Sequence, residues 1–280
     1  MHPSVSVVTI VKNRIDQLIN LVSSIEQADQ KPDELIVVWM TSPCPTSLLT
    51  SPCFSIRHKF MTHDVLPITK ARNKGFLACM HEHIIYMDVD CLCPHNFFTH
   101  VVEAMRPGRV VTSQILYLCH TPKTFNYSAL QKEAQCRPDE DYCFRQDDPH
   151  FSGFNTYWFA ILLRDFIKIG CFDEQYEGFG VSDVDFTTRC KQADMSLYIL
   201  PDKVLHQFHP RLDPPINHLS DIVNNAQRYR NIWGTYPLKE WLHAFAQNGL
   251  INQDYDTRGL KVRRLPSYEE IQAYMTQNPY

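Results

Sequence analysis

The chain has 280 residues, 44% of them apolar, which suffices for one substantial α/β domain with a smaller appendage and excludes a disordered or fibrous protein. Its 27 Lys and Arg against 31 Asp and Glu leave a net charge of −4 with no block of like charge, so a nucleic-acid partner has no electrostatic basis. No apolar run approaches the roughly 18–20 residues that a bilayer span needs.

Residues 4–11 (SVSVVTIV) are a β-branched run apolar on both faces, which predicts a buried parallel strand ending near Lys12. Ile15, Leu18, Ile19, Val22 and Ile25 then recur at helical spacing up to Lys31-Pro32. A second strand at 34–39 (ELIVVW) closes a βαβ unit, whose crossover is right-handed in nearly all known cases. Pro, Ser and Thr between Thr41 and Cys53 mark a loop, followed by a strand at 55–60, a helix at 68–80 and a strand at 84–87 (IIYM) that runs into Asp88-Val89-Asp90. A helix is expected at 94–105 with proline in its first turn, and a strand at 109–118. Residues 119–151 lack a period and read as an irregular insertion. A strand at 157–163, a short helix to Ile169, a helix at 182–193 and a last strand at 196–200 follow. Beyond His206 and His209 the chain turns helical, with Ile222, Ala226 and Tyr229 on one face, then Leu238, Trp241, Leu242 and Phe245 up to Gly249. Ser267 to Glu270 carries a capping-box pattern opening a final helix. Ten cysteines in a chain able to build a core without staples fit reduced thiols, and Met1-His2-Pro3-Ser4 lacks the features of a secretory signal, so the expected location is cytoplasmic.

Chemistry concentrates at three places. Asp88 and Asp90, one residue apart where a buried strand ends, can hold a divalent cation that also binds diphosphate oxygens, although two acids on a solvated turn read the same way. Gly178 and Gly180 permit close backbone approach beside Asp183, a candidate general base; the competing reading has Ser182 as an N-cap and Asp183 as ordinary first-turn helix electrostatics. His206 or His209 can complete a site of two oxygen ligands, or simply end a strand. A zinc site on Cys91, Cys93 and His95 lacks a second cysteine pair, and His81 and His83 read as surface.

Taken in order, VSVVTIVKNR (5–14), KARNKG (70–75), IIYMDVD (84–90), GCFDEQYEGFGVSDVDFTTR (170–189) and VLHQFHP (204–210) resemble the GT-A glycosyltransferases of family 2. The C-terminal half is similar to the galactosyltransferase and polypeptide N-acetylgalactosaminyltransferase pattern. The segment around Asn231-Ile232-Trp233-Gly234 and Trp241-Leu242 looks like the tail of bacterial members. The resemblance implies an α/β fold of GT-A (Rossmann-like) type, a mixed, mostly parallel sheet flanked by helices. It implies a GT-A domain over 1–212, with a nucleotide-sugar half at about 1–118 and an acceptor half at 150–212, and a helical C-terminal extension over 213–280.

By the same resemblance, Asp88 and Asp90 hold Mn2+ or Mg2+, with Asp88 also touching the donor, and His206 is the third metal ligand with His209 its rival. Thr9, Lys12, Asn13, Arg14, Arg72 and Asn73 line the donor pocket; Phe179, Gly180 and Ser182 face the acceptor; Asp183 is the base. The chain departs from the family pattern in two respects. Trp39-Met40-Thr41 stands where many members carry a base-reading acid, which implies a nucleobase gripped by stacking or by backbone groups. Ser182 replaces a glutamate and Phe179 the usual acceptor-platform tryptophan. The expected activity is metal-dependent transfer of a hexosyl or N-acetylhexosaminyl group from a UDP-linked donor to a glycan or lipid-linked acceptor in bacterial surface polysaccharide synthesis. The alternatives are an inactive GT-A-derived carbohydrate-binding protein and a nucleotidyltransferase. Lys261, Arg263 and Arg264 suggest at most a weak peripheral membrane contact.

Overall fold

The computed structural model describes residues 3–42, 48–62, 65–138 and 145–279. Cys44 and Cys143, part of the 41–53 loop and part of the 119–151 insertion lie outside these residues. In chain order the elements are β1 (Val5–Val11), α1 (Ile15–Gln27), β2 (Glu34–Trp39), β3 (Ser55–Phe60), α2 (Ile68–Phe76), β4 (His83–Met87), β5 (Cys91–Leu92), α3 (Phe97–Ala104) and β6 (Arg109–Tyr117). The second half holds α4 (Tyr127–Glu133), β7 (Arg145–Asp148), β8 (Trp158–Leu162), α5 (Leu163–Lys168), α6 (Ser182–Gln192), β9 (Ser196–His206) and β10 (Arg211–Leu212). A 3-10 turn at Ile216–His218 leads into α7 (Leu219–Trp233), α8 (Lys239–Gln247), α9 (Tyr255–Arg258), α10 (Tyr268–Ala273) and β11 (Met275–Thr276).

Among the described residues one nine-stranded sheet runs in the order β3-β2-β1-β4-β8-β6-β9-β5, with β7 also paired to β9. The pairs β3-β2, β2-β1, β1-β4 and β6-β9 are parallel; β8 enters antiparallel between β4 and β6. Strand alternation assigns the two faces. Val7, Val11, Leu35, Val37 and Met87 pack with α1 and α3, whereas Val8, Ile10, Ile36, Val38 and Tyr86 pack with α2, α5 and α6. Because both faces are covered, the inner strands β1, β4 and β8 are predominantly apolar, whereas β3 (SIRHKF) at the end of the strand order is polar and partly exposed. A third cluster joins Tyr176 and Val181 to Leu219, Ile222, Ala226 and Leu242, so the C-terminal helices share a core with the segment before α6. At Gly75 a Cβ would lie 2.4 Å from Val8 Cγ1, which is how α2 comes so close to β1.

Four sequence expectations change. Helix α2 stops at Phe76 and α3 begins only at Phe97, after the proline. The 119–151 insertion is not structureless: Asn126 caps α4 by accepting from the Ala129 amide at 3.1 Å, and β7 pairs antiparallel with β9. The periodicity of α4 is faint because Leu130 is its one buried residue. Strand β9 continues through Pro201 to His206, since a register irregularity opposite Ser113/Gln114 lets the proline into the strand without breaking the sheet. The capping box at Ser267 and Glu270 is present. Among the described residues every cysteine is free, and no helix is long and apolar enough to cross a membrane.

Candidate active site

The acidic turn and the second histidine strand meet through sheet pairing. After β4 the Asp88 amide donates to the Tyr157 carbonyl at 2.7 Å, and the Cys91 amide turns back onto the Asp88 carbonyl at 2.9 Å. Strand β5 then runs antiparallel to the end of β9 with Cys91 opposite His206, and the Gln207 amide donates to the Asp90 carbonyl at 2.7 Å. Asp90, His206 and His209 therefore present ligand atoms that all lie within 4.8 Å of one another. Asp90 is 2% exposed; its Oδ2 takes a hydrogen bond from the Arg14 guanidinium, and its buried Oδ1 has no partner. The buried Nδ1 of His206 also has none. Burial pushes the Asp90 carboxyl up to about 6 against the pull of Arg14. It pushes His206 down to about 3, helped by His209 and Arg14, and His209 down to about 4. Neutral imidazoles and an unsatisfied carboxylate oxygen are what a cation requires of its ligands.

Asp88, expected as a metal ligand beside Asp90, is not one of these three. Its Oδ1 accepts from the Tyr86 hydroxyl and sits 3.7 Å from Arg72 Nη2; burial raises its carboxyl to about 6 while Arg72 and the Tyr86 bond lower it. Arg72 is buried between the Tyr86 and Phe172 rings, 4.9 and 5.1 Å from their centroids, and its Nη1 donates to Asp183 Oδ1 at 2.5 Å. Burial opposes its charge, but Tyr86, Asp183 and Asp88 outweigh that, so it stays protonated. One guanidinium thus spans a carboxylate from the first half of the chain and one from the second.

The other expected donor residues divide. Thr9 is buried in β1 with its hydroxyl unpartnered; Lys12 and Asn13 are exposed at the strand end, Asn13 at φ 57°, and Arg14 stands at the cap position of α1. Asn73 is engaged elsewhere. Its amide donates to the Phe172 carbonyl and Glu174 Oε1, and its oxygen accepts from the Phe172 amide, each at 2.9 Å, which ties α2 to the 172–174 segment and does not open it to a ligand. Trp39 is 2% exposed in the core, and its Nε1 donates to His58 Nδ1 at 3.0 Å, so stacking of a base on that ring is not available.

Of the residues expected to face the acceptor, the Phe179 ring stacks on His218 at 4.5 Å and lies 6.2 Å from Trp241, with Gly180 beside it at φ 85°. The capping reading of Ser182 fails. Val181 holds the cap position with no side-chain bond, and Ser182 is the buried first residue of α6. The Asp183 carboxylate is 50% exposed. Asp185 is 2% exposed and accepts from Tyr176 Oη, Trp233 Nε1 and Arg189 Nε at 3.1, 2.9 and 2.9 Å, which makes it structural. Sequence reasoning missed Tyr86 and Trp233, because a strand tyrosine and a helix tryptophan carry the same signal as core residues.

Cys91, Cys93 and His95 do not gather into a zinc site. Cys91 and Cys93 are buried, burial pushes the Cys93 thiol up to about 12 and the Cys91 thiol well above its usual range, and the His95 ring faces the Gln27 carbonyl and Asp29. In the basic segment Arg264 is held by Glu270 at 2.6 and 2.7 Å, which neutralises part of the expected membrane contact.

Residues 6–170 match glycosyl transferase family 2, more than half of the chain. The chain belongs to that family. This family 2 glycosyltransferase shares its mixed α/β GT-A architecture with solved structures at low identity. A mannosyltransferase from Pyrobaculum calidifontis in complex with GDP-Man and Mn2+ superposes with a TM-score of 0.56 at 18% identity, covering 88% of this chain and 70% of that one. GalNAc-T7 with UDP, GalNAc and Mn2+ gives 0.54 at 16% identity and 88% coverage, and the chain spans only 55% of the GalNAc-T7 chain. No curated protein sequence matches.

Proposed function

We propose that this glycosyltransferase moves a hexosyl or N-acetylhexosaminyl group from a UDP-linked donor to a hydroxyl of a glycan or lipid-linked acceptor, with a divalent cation at Asp90, His206 and His209. The observation that carries this reading is the convergence of that three-residue group, near the ends of β4 and β9, with the chain from Asp88 through Arg72 on α2 to Asp183 on α6. One carboxylate with two imidazoles suits Mn2+ better than Mg2+, which favours oxygen ligands. Mn2+ is also bound in both neighbours named above. When bound, the cation supplies charge stabilisation to the departing diphosphate.

The protein's own groups divide the remaining work. Arg14 and Lys12 lie at the end of β1, where cationic side chains can meet diphosphate oxygens. Asp88, fixed by Tyr86, faces the donor as a hydrogen-bond acceptor. Asp183 accepts the proton of the acceptor hydroxyl while that oxygen bonds to the anomeric carbon and the bond to the diphosphate breaks. Arg72 keeps Asp183 aimed through its Nη1 bond. A surface-polysaccharide acceptor accords with the half-exposed setting of Asp183, which an extended glycan can reach.

With Trp39 in the core, base recognition falls to backbone groups and other side chains. Calorimetric titration of UDP, GDP and CDP with Mn2+ present is expected to show UDP binding tightest. GDP or CDP binding at least about tenfold tighter, near 1.4 kcal/mol, overturns the choice of donor.

A further inference from the structure

Asp221, Asn225, Tyr229 and Trp233 recur every fourth residue along α7, which places them on one stripe of the helix. Each of the four bonds to the segment around Asp183. The Phe179 amide donates to Asp221 Oδ2 at 3.2 Å. Asn225, 4% exposed, donates its amide to the carbonyls of Glu177, Gly180 and Phe179 at 2.8, 3.1 and 3.4 Å. The Tyr229 hydroxyl meets Thr188 Oγ1 at 2.9 Å, and Trp233 Nε1 reaches Asp185 at 2.9 Å.

The segment so gripped needs the grip. Gly178, Gly180 and Val181 have φ of 71°, 85° and 74°, and for a β-branched valine that region is unfavourable. At Gly178 a Cβ would lie 2.3 Å from the Asp221 carboxylate, so the loop is moulded onto α7 at that point. Two residues beyond Val181 the chain delivers Asp183 to Arg72. Residues 219–233 lie outside the stretch that matches the family.

We propose that α7 positions the acceptor-side loop, with Asn225 the principal positioning residue: it holds three carbonyls of the loop and so sets where Asp183 stands, without touching donor or cation. This inference rests on Asp183 as the base. A displacement of about 1 Å at a reacting group can cost about 10²-fold, so loosening the loop should fall on turnover and spare donor binding.

The test uses the whole chain with Asn225→Ala, and with Tyr229→Phe as a gentler change that removes one hydroxyl. UDP release from UDP-galactose, UDP-glucose and their N-acetylated counterparts is followed with Mn2+, alongside UDP affinity and amide exchange. For Asn225→Ala, kcat is expected to fall at least about tenfold with donor KM and UDP affinity unchanged. Exchange should quicken over residues 178–185 and not over 88–92. Tyr229→Phe should show a smaller effect with the same split. Unchanged kcat in a folded Asn225→Ala protein, or kcat and UDP affinity falling together, overturns the proposal. If the parent shows no Mn2+-dependent UDP binding, the donor reading fails separately, and exchange still decides: loosening confined to 178–185 supports the positioning role, and none there defeats it.

Discussion

Asp90→Ala is expected to abolish Mn2+-dependent binding of UDP. Asp90 contributes the one carboxylate of the Asp90, His206 and His209 group, and without it two neutral imidazoles remain beside the Arg14 guanidinium, which repels a cation. Changes one shell further out typically cost about 10–100-fold in metal affinity, and loss of a ligand itself should exceed that. The fold should tolerate the change, because Arg14 is 36% exposed and can turn to water when its partner is removed. Calorimetry with UDP at saturating Mn2+ checks it. An affinity equal to that of the parent would remove Asp90 from the metal site, and Asp88 would have to take its place despite the Tyr86 bond.

Asp183→Asn should leave folding, Mn2+ binding and UDP affinity intact and lower turnover by at least about 10², the low end of what general-base help supplies. The alternative is that Asp183 merely supports the start of α6, where it stands in the first turn and is favoured by the helix field without capping a backbone amide. The bond that Asp183 does make is to Arg72, across the boundary between the two halves of the site. Donor affinity and turnover measured on one preparation decide the matter. Near-parental turnover would move the base elsewhere, and among the neighbouring acids Glu177 would be next, since Asp185 already accepts from Tyr176, Trp233 and Arg189.

The apolar runs of the first half were legible because a doubly covered strand is written in the sequence as an uninterrupted β-branched stretch. The strand at 34–39 is buried throughout and has the expected bounds; the polar strand at 55–60 has them too, although it is only partly covered. Legibility failed where partners come from far along the chain. The spacing of Asp88 and Asp90 reads as one motif, yet their surroundings separate them: Tyr86 and Arg72 hold the first, whereas Arg14 and the end of β9 surround the second. His206 and His209 read as rivals, and the structure brings both rings to Asp90. Asn73 has the right type for a ligand contact, and only the position of Phe172 shows that its amide is engaged. The α7 stripe was invisible because Asp221, Asn225 and Trp233 are polar or aromatic groups whose partners are backbone atoms and a buried carboxylate more than 40 residues away.

The most direct measurement is nucleotide release by the unaltered chain from a panel of UDP-, GDP- and CDP-linked hexoses and N-acetylhexosamines, with and without Mn2+, water serving as acceptor. The predicted result is slow release of UDP from at least one UDP-sugar, present with Mn2+ and lost on chelation. Release that is equally fast after chelation, or no release from any sugar nucleotide together with no nucleoside diphosphate binding, would contradict metal-dependent transfer from a nucleotide-sugar.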